Sequence, residues 1–221
     1  REDGIAWSAR AALVRSGRSS IPSLRRSLAA AGVPVEVASD DTPLVAEPAV
    51  VPLLDALRVV VNFDNDEPSH PGYIGVDRAE SLLSSPLGGL DAGDVRVLAR
   101  RLRARDLAQD RAPRPSPVLL REALLDPERT AGLDGRGAAR TRALARLLRA
   151  ARRWLDDGAT TEEVLWELWA GTDWPARLRR SVQAGGGAAR MAHRDLDAIC
   201  ALFEVAAKAE EQRGHTSAAV F

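Results

Sequence analysis

From Glu47 onward, apolar residues recur at every third or fourth position, and that spacing commits most of the chain to helices that each bury one face. Val50, Leu53, Leu54, Leu57 and Val61 form the first such stripe. A loop rich in Asp, Asn, Pro and Gly, from Asn62 to Gly75, precedes a short helix expected from Asp77 to Ser84. The segment SPLGGLDAGD then leads into a helix from Asp91 to Ala108, giving a helix, turn, helix arrangement. RAPRPSP breaks the chain, a short helix covers Pro117 to Leu125, and DPERTAGLDGRG reads as an exposed loop.

The next helix is amphipathic and strongly basic. It sets Leu144, Leu147, Leu148, Ala151 and Leu155 against Arg140, Arg142, Arg146, Arg149, Arg152 and Arg153. Thr160 and Glu163 have the spacing of a capping box, ahead of Val164, Leu165, Leu168 and Trp169. Thr172 or Asp173 caps a further helix with Pro175 in its first turn, and Gly185-Gly186-Gly187 ends it. A last helix, Ala189 to Gln212, turns Leu196, Ile199, Cys200, Phe203 and Ala207 inward, for about eight or nine helices in all.

The first 45 residues follow a different pattern. Ala11-Ala12-Leu13-Val14 reads as a buried strand and Val33 to Val37 as a second. Between them, Ser19 or Ser20 caps a helix that has Pro22 in its first turn, Leu24 and Leu28 on its apolar face, and Gly32 as its stop. Strand, helix, strand over so short a span is the unit of a parallel sheet, which needs neighbours on both faces. The expected fold is therefore mainly α: a small α/β edge in residues 1–45, then an all-helical domain over 46–221.

Composition narrows the chemistry. With 45% hydrophobic residues among 221, a sizeable core is available, and no apolar run approaches the ~18 residues of a membrane span. The charged start REDG lacks the apolar stretch of a signal peptide, so a soluble, cytoplasmic protein is expected, with no membrane partner. Cys200 is the only cysteine, and with His70, His193 and His215 scattered it builds neither a disulfide framework nor a structural zinc site. Lys208 is the only lysine, and the arginine excess is most simply a GC-rich codon bias. Because net charge is zero, any surface for nucleic acid has to be a local patch.

Three segments carry a resemblance. The first runs GIAWSARAALVRSGRSSIPSLRRSLAAAGVPVEVASDDTPLVAEPAVVPLLDALRVVVN. It has Trp7 and Ser8 before a strand ending Leu13-Val14-Arg15, a helix of LRR type, an AAGVP return, and a helix reading LLDALRVVVN. In that order and spacing it resembles the UvrD/Rep family of superfamily 1 DNA helicases. SLLSSPLGGLDAGDVRVLARRL is similar to the family's turn in which a Pro and a Gly-rich step join two helices that grip duplex DNA through its backbone. VLWELWAGTDWPARLRRSVQAGGGAARMAHRDLDAICALFEVAAKAEEQRG looks most like the helicase subunits of actinobacterial AdnAB-type helicase-nucleases, the AdnB type more than the AdnA type.

The resemblance implies that residues 1–45 are an edge of the second RecA-like domain, 2A, and that 46–221 are the helical 2B domain inserted in it. The parent would be an ATP-dependent DNA helicase, an ATP hydrolase acting in double-strand-break repair, with ATP and magnesium as cofactors. Its partners would be single-stranded DNA, duplex backbone, the rest of the motor and a second helicase-nuclease subunit. Arg15, Ser16 and Arg18 would lie on the single-strand track, where arginines and hydroxyls hold phosphates without reading sequence. At the duplex turn, Ser85, Gly88 and Gly89 would bring backbone close to phosphate. There the family's basic RGIG-like step has become Leu87-Gly88-Gly89-Leu90, and Asp91 competes as a cap.

No G-x-x-x-x-G-K-[ST] loop occurs, so no ATP turnover is expected from this chain alone. Arg146, Arg149 and Arg153 on the basic helix are candidates to neutralise duplex phosphates, against the plainer reading of a solvated face. Trp154, Trp166, Trp169 and Trp174 share leucine spacing and are read as core before base-stacking platforms. The adjacent pairs Asp156-Asp157, Glu162-Glu163 and Glu210-Glu211 diverge on a helix and make poor acid/base dyads. A rival role is a protein-interaction module, the arginine helix meeting an acidic partner subunit instead of phosphate.

Overall fold

The computed structural model describes residues 43–213, together with Leu24, Ser27, Leu28 and 30–33 ahead of them. The chain divides into two units, Arg1–Pro43 and Leu44–Phe221. In the first, Leu24, Ser27, Leu28 and Ala30 have helical backbone, and Gly32 ends that helix at φ +70°. The Val33 amide reaches back to the Leu28 carbonyl at 2.9 Å, the six-to-one bond of a glycine-terminated helix. The strand expected at Ala11–Val14 and residues 34–37 of the second lie outside the described residues.

Among the described residues the second unit is mainly helical, with no strand. After a 3₁₀ turn at Leu44–Ala46 come α1 (Val51–Val61), α2 (Val76–Ser84), α3 (Ala92–Ala108) and α4 (Ser116–Leu125). A 3₁₀ turn at Pro127–Thr130 precedes α5 (Arg136–Asp156), α6 (Thr161–Ala170), α7 (Trp174–Ala184) and α8 (Gly186–Arg213). No described helix is long and apolar enough to cross a membrane.

α5 is the organising strut. Its 21 residues span about 31 Å at the helical rise, and α1, α3, α4 and α6 all pack against it. Thr141, Leu144, Ala145, Leu148 and Ala151 form its buried face, and each fully buried leucine contributes about 1.5–3 kcal/mol. α1 fills the centre, with Leu53, Ala56, Val59 and Val60 all at 0% exposure; Leu54 and Val61 of its expected stripe are half-buried. α2 and α3 pack on α4, while α7 and α8 form a hairpin that packs on α6 and, through α8, on the Leu44–Ala46 turn.

Local chemistry sets the boundaries. Thr160 and Glu163 form the expected capping box, with the Thr160 amide on Glu163 at 2.8 Å and the Glu163 amide on the Thr160 hydroxyl at 3.2 Å. Thr172 Oγ1 accepts from the Trp174 amide at 3.2 Å at the start of α7. Gly185 and Gly186, at φ +74° and +68°, turn α7 into α8.

Three local expectations are corrected. DPERT is not an exposed loop: the Asp126 carboxylate accepts from the Glu128 amide at 3.1 Å, and Pro127 and Thr130 are buried. Cys200 is exposed, because the buried positions of α8 are Ala192, Ile199, Leu202 and Ala206, one helical ridge away. Trp169 and Trp174 are core, meeting edge to face at 5.0 Å, but Trp154 and Trp166 are 46% and 58% exposed.

Candidate nucleic-acid interface

The turn between α2 and α3 is fastened to its own protein. Ser85 Oγ donates to the Leu82 carbonyl at 2.7 Å and accepts from the Leu87 amide at 3.2 Å. Gly88 is buried against the Leu83 carbonyl, into which any Cβ would collide, so this glycine is required by internal packing. Gly89, at φ +64°, donates to the Ser85 carbonyl at 2.7 Å, and the Leu90 amide bonds the Leu83 carbonyl at 3.1 Å. Outside the turn, Arg136 donates to the Gly89 carbonyl at 3.1 Å, Arg177 donates to the Pro86 carbonyl, and the Arg140 guanidinium lies against Gly89.

The first turn of α3 already holds an anion. Asp91 accepts from the Asp94 amide at 2.8 Å, and Asp94 accepts from the Asp91 amide at 3.4 Å. The bond from the Asp94 amide holds the Asp91 carboxyl below its ordinary range. A phosphate approaching this helix end would meet a carboxylate first.

Most of the arginines on α5 are likewise internal. Arg152 donates to the Val60 and Val61 carbonyls at 3.2 and 2.9 Å, closing the C-terminal end of α1. Arg149 donates to the Leu125 carbonyl at 3.2 Å at the end of α4, pairs with Asp126 at 3.3 Å, and sits 5.8 Å from the Phe63 ring. Arg142 holds the Thr130 and Leu133 carbonyls. Arg140 and Arg177 bracket Asp173: burial pushes that carboxyl up, and the bonds and charge of the two guanidiniums outweigh it and hold it low. Arg146 and Arg153 differ: both are exposed, and neither has an ion pair or hydrogen bond among the described residues.

A buried ion cluster joins α3, α4 and the second 3₁₀ turn. Asp106, 2% exposed, takes Arg114 at 2.7 Å and Arg129 at 3.0 Å, and Glu122 pairs with Arg129 at 3.1 Å and with Arg114. Burial alone would raise the Asp106 carboxyl, but hydrogen bonds and charge from Arg114 and Arg129 prevail and keep it low.

The two flanks of α3 have opposite fates. On one, Arg105 donates to the Ala131, Arg129 and Glu128 carbonyls at 2.7, 3.2 and 3.4 Å, and Arg101 lies over Gly135. On the other, Arg96, Arg100 and Arg103 are exposed and make no ion pair or hydrogen bond among the described residues. These three were missed in the sequence. Their signal is an i, i+4, i+7 spacing in which no exposed acid stands three or four residues from any of them.

Arg15, Ser16 and Arg18 lie outside the described residues. His70 accepts from the Gly72 amide at 3.0 Å and bonds Asn65, which gives it a structural place in the loop before α2. Among the described residues no group of three or more His, Cys, Asp or Glu is placed to hold a metal ion. The structure thus separates the candidates: Ser85, Gly88, Gly89 and Arg149 are engaged by the protein itself, and Arg146 and Arg153 remain open to solvent. No family model, curated protein or solved structure matches the chain.

Proposed function

We propose that this chain is the helical 2B-like domain, with an edge of the RecA-like 2A domain, of a UvrD-like ATP-dependent DNA helicase acting in DNA repair. In this reading it binds DNA backbone without sequence preference. ATP, magnesium and the hydrolase activity belong to the parent protein. The observation that carries the reading is a set of solvent-facing arginines that make no ion pair or hydrogen bond among the described residues, Arg146 and Arg153 on α5 and Arg96, Arg100 and Arg103 on α3, in a chain of zero net charge. Guanidiniums left unpaired where acids are as numerous as bases form a local cationic surface suited to phosphates.

The test is a titration of the purified chain with a labelled duplex and a labelled single strand of mixed sequence at two salt concentrations. Binding that is indifferent to sequence and falls steeply with salt supports the proposal. Absence of binding to either DNA at low salt overturns it. A second reading, docking to a partner subunit, is favoured by the exposed Trp166 and its 5.8 Å edge-to-face contact with Phe203 on α8. A pull-down with the partner subunit that is lost in Trp166→Ala, with no DNA binding by the parent chain, would select it.

A further inference from the structure

We propose that the stripe formed by Arg96, Arg100 and Arg103 on α3 is the surface that holds a nucleic-acid backbone, separate from the α2–α3 turn and from α5. The assignment rests on the DNA-binding reading above and names the site within it.

At about 100° per residue, Arg96, Arg100 and Arg103 fall within an arc of about 60°, and the rise spaces their backbones by about 6 and 4.5 Å. They form one line of cations along the flank of α3. The buried side of the same helix, Val95, Leu98, Ala99, Leu102 and Asp106, points elsewhere and fixes the rotation of the stripe. A helix anchored by this adjoining face presents the three guanidiniums with little freedom for the helix to turn them away.

Electrostatics set the stripe apart from most of α5. Like charges at i and i+4 disfavour the helix that carries them. On α5 the protein relieves such crowding with its own acceptors: Arg152 bonds Val60, Val61 and Asp156, Arg140 bonds Asp173, and Arg136 bonds Asp94. The only acids within α3 are Asp94, which pairs with Arg136, and Asp106, which is buried among Arg114 and Arg129. Apart from the field of the Asp91 carboxylate felt by Arg96, the stripe carries positive charge without a paired acid among the described residues, and an external polyanion is its natural complement.

The chemistry favours phosphate over an acidic protein surface. Guanidinium presents a planar fork that matches phosphate oxygens, and a line of such groups follows a repeating backbone. Protein interfaces instead centre on buried aromatic or aliphatic anchors. This flank offers only the small Val97, 39% exposed, beside the stripe and Leu107, 62% exposed, at its end, and no aromatic residue. The turn offers little competition, since its Leu87, Gly89 and Leu90 amides are bonded internally and Asp91 stands at its exit.

The experiment uses the full 221-residue chain. Fluorescence anisotropy with a labelled mixed-sequence duplex and the matching single strand, across a salt series, is compared among the parent, R96Q/R100Q/R103Q, R96K/R100K/R103K and R146Q/R153Q. All substitutions are at exposed positions, and thermal melting by circular dichroism confirms equal folding. The glutamine triple variant is expected to weaken duplex binding about ten- to a hundredfold at low salt and to reduce the log–log salt slope by about 2 to 3. The lysine triple variant retains most of the slope, and R146Q/R153Q changes it less than the glutamine triple. Parent-like affinity and slope in R96Q/R100Q/R103Q overturns this assignment and leaves DNA binding standing. A parent chain that binds neither DNA, or that binds only polyglutamate, overturns the DNA-binding reading itself.

Discussion

α5 and the outer flank of α3 are both rich in arginine, yet they use it in opposite ways. Five of the seven α5 arginines, Arg136, Arg140, Arg142, Arg149 and Arg152, bond the protein's own carbonyls or carboxylates. On the outer flank of α3, Arg96, Arg100 and Arg103 bond nothing among the described residues. The difference follows from what lies beside each helix. α5 passes the C-terminal ends of α1 and α4 and the second 3₁₀ turn, where backbone carbonyls lack helical partners and carry the negative end of the helix dipole. Arginine density alone is therefore a poor guide to which guanidiniums stay open to an outside partner; proximity to a helix end decides it.

The largest break in that contrast is expected at the buried cluster. Asp106→Ala leaves Arg114 and Arg129 without their main anion and is expected to destabilise the unit by about 3–5 kcal/mol, read by urea unfolding. Gly88→Ala forces a methyl into the Leu83 carbonyl, and a loss of about 1–3 kcal/mol is expected from the same measurement. Unchanged stability there would show that the turn is open enough to yield. Arg152→Ala uncovers the Val60 and Val61 carbonyls and is expected to cost about 1–2 kcal/mol, with faster amide exchange at the end of α1.

Acid provides a subtler discrimination. Asp106 and Asp173 are both held below the ordinary aspartate range, so their pairs contribute stability that is fully present above about pH 4 and is lost as pH falls through the depressed folded values. The urea midpoint is expected to be flat from neutrality to about pH 5 and to fall below about pH 4. Asp106→Asn should start from a lower midpoint and show a shallower acid fall. An equal fall in the variant would assign the effect to other carboxylates. The smallest effect is expected at the open positions: Arg100→Gln leaves the urea midpoint unchanged, and a measurable loss would reveal an internal partner for that stripe.

Much of the fold was legible because it depends on neighbours close in sequence. The apolar stripe from Val50 to Leu57, the Thr160–Glu163 box and the Gly32 stop are each written within a few residues. Cys200 was misread because Cys200 and Ile199 sit 100° apart on a helix, and only the position of α6 and α7 decides which of them is covered. Trp154 and Trp166 were misread for the same reason, since leucine spacing places a residue near a buried face but not within it.

The candidate interface was less legible. Arg152 bonds Val60 across 92 positions, and Arg177 bonds Pro86 across 91, so no local pattern distinguishes them from Arg146 or Arg153. By itself the sequence determined that this would be a helical protein with a strongly basic helix, because helix periodicity and caps are short-range properties. Which arginines remain available to a partner was decided only in three dimensions, where distant helix ends supply, or fail to supply, the acceptors that neutralise them.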